Sequence, residues 1–199
     1  MGAILQSLGR TITAGVVLLI VILGISAAMG GSAVKFGEHA WWEFFFRWLH
    51  VAAGVMWIGL LYYFNFVQIP NMPKIPDEQK PAVSKVIAPA ALFWFRWSAL
   101  TTVVIGLIIA LMKGYLVDAL LFKTGLQAIG LGMWLGLIMA YNVWFVIWPN
   151  QQKALGLVEV AAEAKPKAAR TAMLFSRTNT MLSIPMLYCM IAQGHAGGL

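Results

Sequence analysis

The segment from Trp41 to Val67 carries its polar residues on one stripe of an otherwise apolar run. Glu43, Arg47, His50, Gly54 and Asn65 follow one another at spacings of four, three, four and eleven residues. At about 100° per residue these positions lie within roughly 60° of one another on a helix. Trp, Phe, Leu, Val, Ile and Tyr fill the other faces. A helix this long and apolar is a membrane span, and an ionisable group inside a span is costly and usually functional.

Comparable apolar stretches predict five transmembrane helices, at about 13–33, 41–67, 87–112, 126–148 and 168–192. The predicted fold class is all-α: a polytopic membrane helix bundle forming a single domain over 1–199, with no room for a soluble domain. Arg10 before the first apolar run resembles a leader, but the segment is read as an uncleaved span. The prolines at 70, 73 and 76 predict a stop for the second helix, and Trp148-Pro149-Asn150 a stop for the fourth. The stretch 155–164 reads as amphipathic and broken by Pro166, 115–122 as a turn too short to span, and no clear internal repeat is visible.

Composition agrees with this pattern. Hydrophobic residues make up 61% of the chain and charged residues 11%, against roughly 45–50% and 25% for soluble domains. Of the fourteen Lys and Arg residues, eight fall on one predicted side: Arg10, Lys74, Lys80, Lys85, Lys153, Lys165, Lys167 and Arg170. Lys35, Lys113 and Lys123 fall on the other, and Arg47, Arg96 and Arg177 lie within spans. The positive-inside rule then places the N-terminus in the cytoplasm and the C-terminus outside, in a bacterial inner membrane. The net charge of +7 reflects basic loops facing anionic lipid rather than nucleic-acid binding. Cys189 is the single cysteine, and no CxxCH attaches a covalent haem c.

The intramembrane cations carry the candidate chemistry. Glu43 is the one acid inside the predicted spans and can pair with Arg47 one turn later, leaving Arg96 and Arg177 without a carboxylate. Two readings stay open. In one, the arginines bond to carbonyls, hydroxyls and indole faces or snorkel to water. In the other they meet an anion: a haem propionate, an anionic substrate or a lipid phosphate. His50 is either a packing residue or an axial ligand to haem b, with Arg47 and Gly54 on the same stripe and Gly54 small enough to admit a flat ring. Asn65, Asn142 and Asn179 either join helices or line a polar pocket with the arginines. Ala128, Gly132, Gly136 and Ala140 form a small-residue ridge for packing, within the bundle or against another subunit.

Several blocks carry a family resemblance. Arg47-Trp48-Leu49-His50-Val51 and Trp57-Ile58-Gly59-Leu60-Leu61-Tyr62-Tyr63-Phe64-Asn65-Phe66-Val67-Gln68 are two of them. Tyr141-Asn142-Val143-Trp144-Phe145, Trp148-Pro149-Asn150-Gln151, Ser176-Arg177-Thr178-Asn179-Thr180 and Ser183-Ile184-Pro185-Met186 are the others. Together they resemble the N-terminal membrane domain of the bacterial cytochrome-linked urate oxidases. The resemblance implies a short form without the cytochrome c domain, with electrons leaving through a partner cytochrome or quinone. It also supplies urate as a candidate anion. The leading expectation is a redox protein with haem b on His50 and a cationic site between helices two, three and five. The alternative is an accessory subunit of a larger respiratory or photosynthetic complex, contacting membrane lipid and other membrane subunits.

Overall fold

The computed structural model describes residues 2–29 and 37–195, and among these the regular structure is entirely helical. Five long helices carry the fold: α1 (Leu8–Ala28), α2 (His39–Lys74), α3 (Lys80–Met112), α4 (Gln127–Ala154) and α5 (Ala164–His195). The first four are long and apolar enough to cross a membrane. The fifth is not among them, which corrects the expectation of five spans. Its length suffices, but Ser176, Arg177, Thr178, Asn179, Thr180 and Ser183 crowd one stretch and dilute its hydropathy. The end of the first predicted span, residues 30–33, and Lys35 lie outside the described residues.

The chain divides into two compact units, Met1–Phe44 and Phe45–Leu199. In the first, α1 buries none of its residues, and Glu43 reaches His39 one turn back at 3.2 Å. Arg47, in the second unit, makes no ion pair among the described residues and is exposed.

The second unit is built on α4 and α5, which pack along each other. The small-residue ridge explains the close approach: a Cβ on Gly132 would meet Cys189 Cβ at 3.3 Å, and Ala128 is buried in the same seam. The ridge therefore serves the bundle's own core. Neighbouring helices run antiparallel, since Gly132 lies by Cys189 while Asn142 lies by Asn179, and His50 lies by Thr102 while Phe64 lies by Phe95. Lys74, Lys80, Lys85, Lys153, Lys165, Lys167 and Arg170 consequently gather at one end of this unit, hereafter the basic end.

The prolines do not stop the helices as expected. α2 runs through Pro70 to Lys74, and α4 through Pro149 to Ala154. Three stretches widen into π-helix instead, Tyr63–Gln68, Val83–Ile87 and Asn142–Ile147, each ending two residues before a proline at 70, 89 or 149. A proline lacks an N–H, clashes with the carbonyl one turn back, and disfavours α geometry in the residue before it. The residue before each proline donates five back, Ile69 to Phe64, Ala88 to Val83 and Trp148 to Val143, so the wide register takes up the mismatch. After two of these prolines an asparagine side chain donates four residues back, Asn71 to Val67 at 2.7 Å and Asn150 to Val146 at 2.8 Å. Phe66-Val67-Gln68-Ile69-Pro70-Asn71 and Phe145-Val146-Ile147-Trp148-Pro149-Asn150 are thus a local repeat. Residues 155–163 form turns and irregular chain rather than an amphipathic helix, and Pro166 sits in the first turn of α5, where a missing N–H costs nothing. The 115–122 segment is a short helix, Leu116–Leu120, closed by Phe122 at φ 55°.

Candidate functional site

Buried polar groups collect where the π segments of α2 and α4 face α5. Asn142 Nδ2 donates to Asn179 Oδ1 at 2.8 Å, and Asn179 Nδ2 donates to the Met139 carbonyl at 2.9 Å. Asn65 Nδ2 donates to Ser176 Oγ at 2.7 Å and to the Leu61 carbonyl at 2.9 Å. The Tyr62 and Ser183 hydroxyls bond at 2.9 Å, and Ser183 donates to the Thr180 carbonyl at 2.7 Å. Asn179 and Ser183 are 0% exposed. These bonds tie three helices together inside the apolar cluster of Trp57, Leu61, Phe95, Met139 and Val143. Trp57 Nε1, Asn65 Oδ1, Gln68 Oε1 and Trp144 Nε1 are buried without a hydrogen-bond partner.

All three predicted asparagines take part, Asn142 with Asn179 and Asn65 with Ser176, but not around Arg177. Arg177 points the other way: it is exposed and makes no hydrogen bond or ion pair among the described residues. Arg96 sits apart from both. Its Nε donates to the Leu92 carbonyl at 3.2 Å, and its guanidinium carbon stacks 3.3 Å from the Trp148 ring centroid and 5.6 Å from that of Trp144. Loop lysines find carboxylates, Lys80 with Asp77 at 2.6 Å and Lys123 with Asp118 at 2.8 Å. Arg96 finds indole faces instead.

His50 occupies a third position. Its Nδ1 lies 2.9 Å from the Thr102 carbonyl, which can only accept, so Nδ1 carries the proton and Nε2 the lone pair. The glycine beneath the imidazole is Gly106: a Cβ there would meet His50 Cε1 at 2.9 Å. Gly54 instead faces Thr102, with its notional Cβ 3.8 Å from Thr102 Cγ2, and brings α2 close to α3. The expected cluster of His50, Arg47 and Gly54 therefore separates into a packed histidine, an exposed arginine and a helix-contact glycine. No group of three or more His, Cys, Asp or Glu residues that could hold a metal ion occurs among the described residues.

Residues 121–197 match the family model described as urate oxidase N-terminal. Over that segment the chain is similar to the urate oxidase N-terminal family. No curated protein and no solved structure matches it. The family segment contains α4 and α5, with Asn142, Asn179, Arg177, Trp144 and Trp148; His50, Arg47, Gly54, Asn65 and Arg96 precede it. Ser176, Ser183, Tyr62 and the two tryptophans under Arg96 were missed as site members on sequence. Each lies inside a block that carried the resemblance, and no spacing rule separates them from ordinary span residues.

Proposed function

We propose that this chain is a membrane-embedded accessory subunit, of the urate oxidase N-terminal family over α4 and α5, that docks through α5 on a membrane helix of a different polypeptide. Arg177 carries this reading. Leu174, Arg177, Met181, Ile184, Tyr188 and Ile191 recur at alternating spacings of three and four and are all exposed. That is the pattern of one helix-packing seam. Apolar members of such a seam are content in lipid. An arginine there is costly until it meets an anion.

The facing helix is inferred to bear a carboxylate level with Arg177. A parallel two-fold seam between two copies of α5 does not supply it, because it sets Arg177 against Arg177. The asparagine network supports the same role: its amides are spent on joining α2, α4 and α5. The basic end of the second unit is placed at the cytoplasmic face of a bacterial inner membrane. Extraction of native membranes in mild detergent tests the proposal. The protein is expected to co-purify with a larger membrane polypeptide, and Arg177→Leu to weaken that association while the bundle stays folded. Recovery of the wild-type protein alone and monodisperse would overturn it.

One observation favours a second reading, a redox protein with haem b. Nδ1–H of His50 donating to a backbone carbonyl is how a ligating histidine is usually oriented, leaving Nε2 to bind iron. Bound haem would supply one-electron transfer, and urate would be tried as donor. Oxidised and dithionite-reduced absorption spectra with pyridine haemochrome quantification decide it. One haem b per chain, lost in His50→Ala, establishes this reading; a folded native preparation without a Soret band removes it.

A further inference from the structure

An open apolar groove of about 370 Å³ runs between α3 and α4, lined by Leu100, Val103, Leu137, Ala140, Tyr141 and Phe145, with Trp144 at its side. On α3, Arg96, Leu100 and Val103 share one stripe, and on α4 Trp144 lines the groove and lies with Trp148 under Arg96. The groove therefore points along both helices, and Arg96, one turn before Leu100, stands at its basic end. Trp144 joins the two features: it lines the groove, lies under Arg96 at 5.6 Å and takes the edge of Trp97 at 5.5 Å.

The side chain of Arg96 leans toward the basic end, because its Nε bonds to the Leu92 carbonyl four residues earlier. Its guanidinium rests on Trp148, beside Pro149 and Asn150, with Lys153 a turn further on. Indole rings gather at the membrane–water boundary, and arginines reach for it. The cation therefore lies on the basic-end side of the groove, which runs on between two apolar helices. Stacking on indole leaves the guanidinium edge, with its Nη donors, for an anion.

We propose that this groove holds one acyl chain of an anionic phospholipid whose phosphate sits on Arg96. Its volume lies within the roughly 300–1,000 Å³ of small-molecule sites, and the pairing of a fixed cation with an apolar trough matches an amphiphile rather than a free anion. The site faces a different side of the bundle from the α5 seam and does not depend on the proposed partner.

The test uses the purified full chain in neutral detergent, titrated with micelles containing phosphatidylglycerol or phosphatidylcholine, with thermal unfolding and native mass spectrometry as readouts. Wild-type protein is expected to retain one phosphatidylglycerol and to unfold at a higher temperature with it than with phosphatidylcholine. Arg96→Gln should lower the phosphatidylglycerol affinity about tenfold, the weight of one charge-assisted contact. Leu100→Trp keeps the cation and fills the trough, so it should reduce retention of both lipids. Equal retention in wild type and Arg96→Gln would overturn the proposal. So would unaltered retention in folded Leu100→Trp, or an isoprenoid quinone bound in place of phospholipid.

Discussion

Asn179 concentrates the logic of the core in one side chain. Its oxygen accepts from Asn142 and its amide donates to the Met139 carbonyl, with no exposure to solvent or lipid. A buried partner left unsatisfied costs about 1–3 kcal/mol. Asn179→Leu is therefore expected to destabilise the bundle by that amount, measured by unfolding in mixed micelles, while Asn142→Leu added to it should cost less than the two changes summed. Thr178→Val, one residue away, should be nearly neutral, since Thr178 Oγ1 only bonds back to its own helix at Leu174. The sequence marked Asn142 and Asn179 as polar residues in apolar spans. It did not say that they meet, because a side chain's partner on another helix depends on rotation about both axes.

Proline and glycine do their work at the scale of the element. Pro70 and Pro149 are legible in the sequence as disruptions, but two π segments absorb them and the helices continue. Each π segment adds a part-turn of phase, so residues beyond it face elsewhere than a 3.6-residue wheel predicts. The wheel that grouped Arg47, His50, Gly54 and Asn65 does not survive packing: His50 meets Thr102 and Gly106 on α3, while Asn65, within the first π segment, bonds to Ser176 on α5. The two hairpins also echo one another beyond the repeated Pro-Asn. Arg96 is followed at two and six residues by buried Ser98 and Thr102, and Arg177 by buried Asn179 and Ser183. Glycines divide just as clearly. A Cβ on Gly130 would fall inside the Ala119 carbonyl oxygen, whereas Gly136 has nothing within 4 Å. Gly130→Ala should displace the Leu116–Leu120 turn and lower the unfolding temperature. Gly136→Ala should be neutral or stabilising by up to about 1 kcal/mol from helix propensity. Equal effects at the two positions would contradict the packing.

For the molecule as a whole, charge is the quantity that links chain to membrane. Seven basic residues of the second unit lie at one end, and Lys113 and Lys123 at the other. Cys189 is buried, so single cysteines placed in the loops of a Cys189→Ser background report sidedness directly. Cysteines at Gln79 and Leu157 are expected to react with a membrane-impermeant maleimide only in inside-out vesicles, and one at Lys123 only in right-side-out vesicles. The opposite pattern would reverse the orientation. Arg96 and Arg177 also diverge at this scale, one laid on tryptophans beside a groove and the other turned outward on α5.

The sequence by itself determined an all-helical, membrane-type chain, the positions of its four most apolar helices and a family resemblance that the family model matches over residues 121–197, because hydropathy and local spacing are one-dimensional properties. It also named Asn65, Asn142 and Asn179, three of the polar residues in the core. Only the tertiary structure decided their grouping. Asn65 and Asn142 bond to α5, His50 lies on Gly106 rather than among cations, and Arg177 faces outward. Those outcomes depend on helix rotation and antiparallel register, which are set by packing between segments distant in the chain.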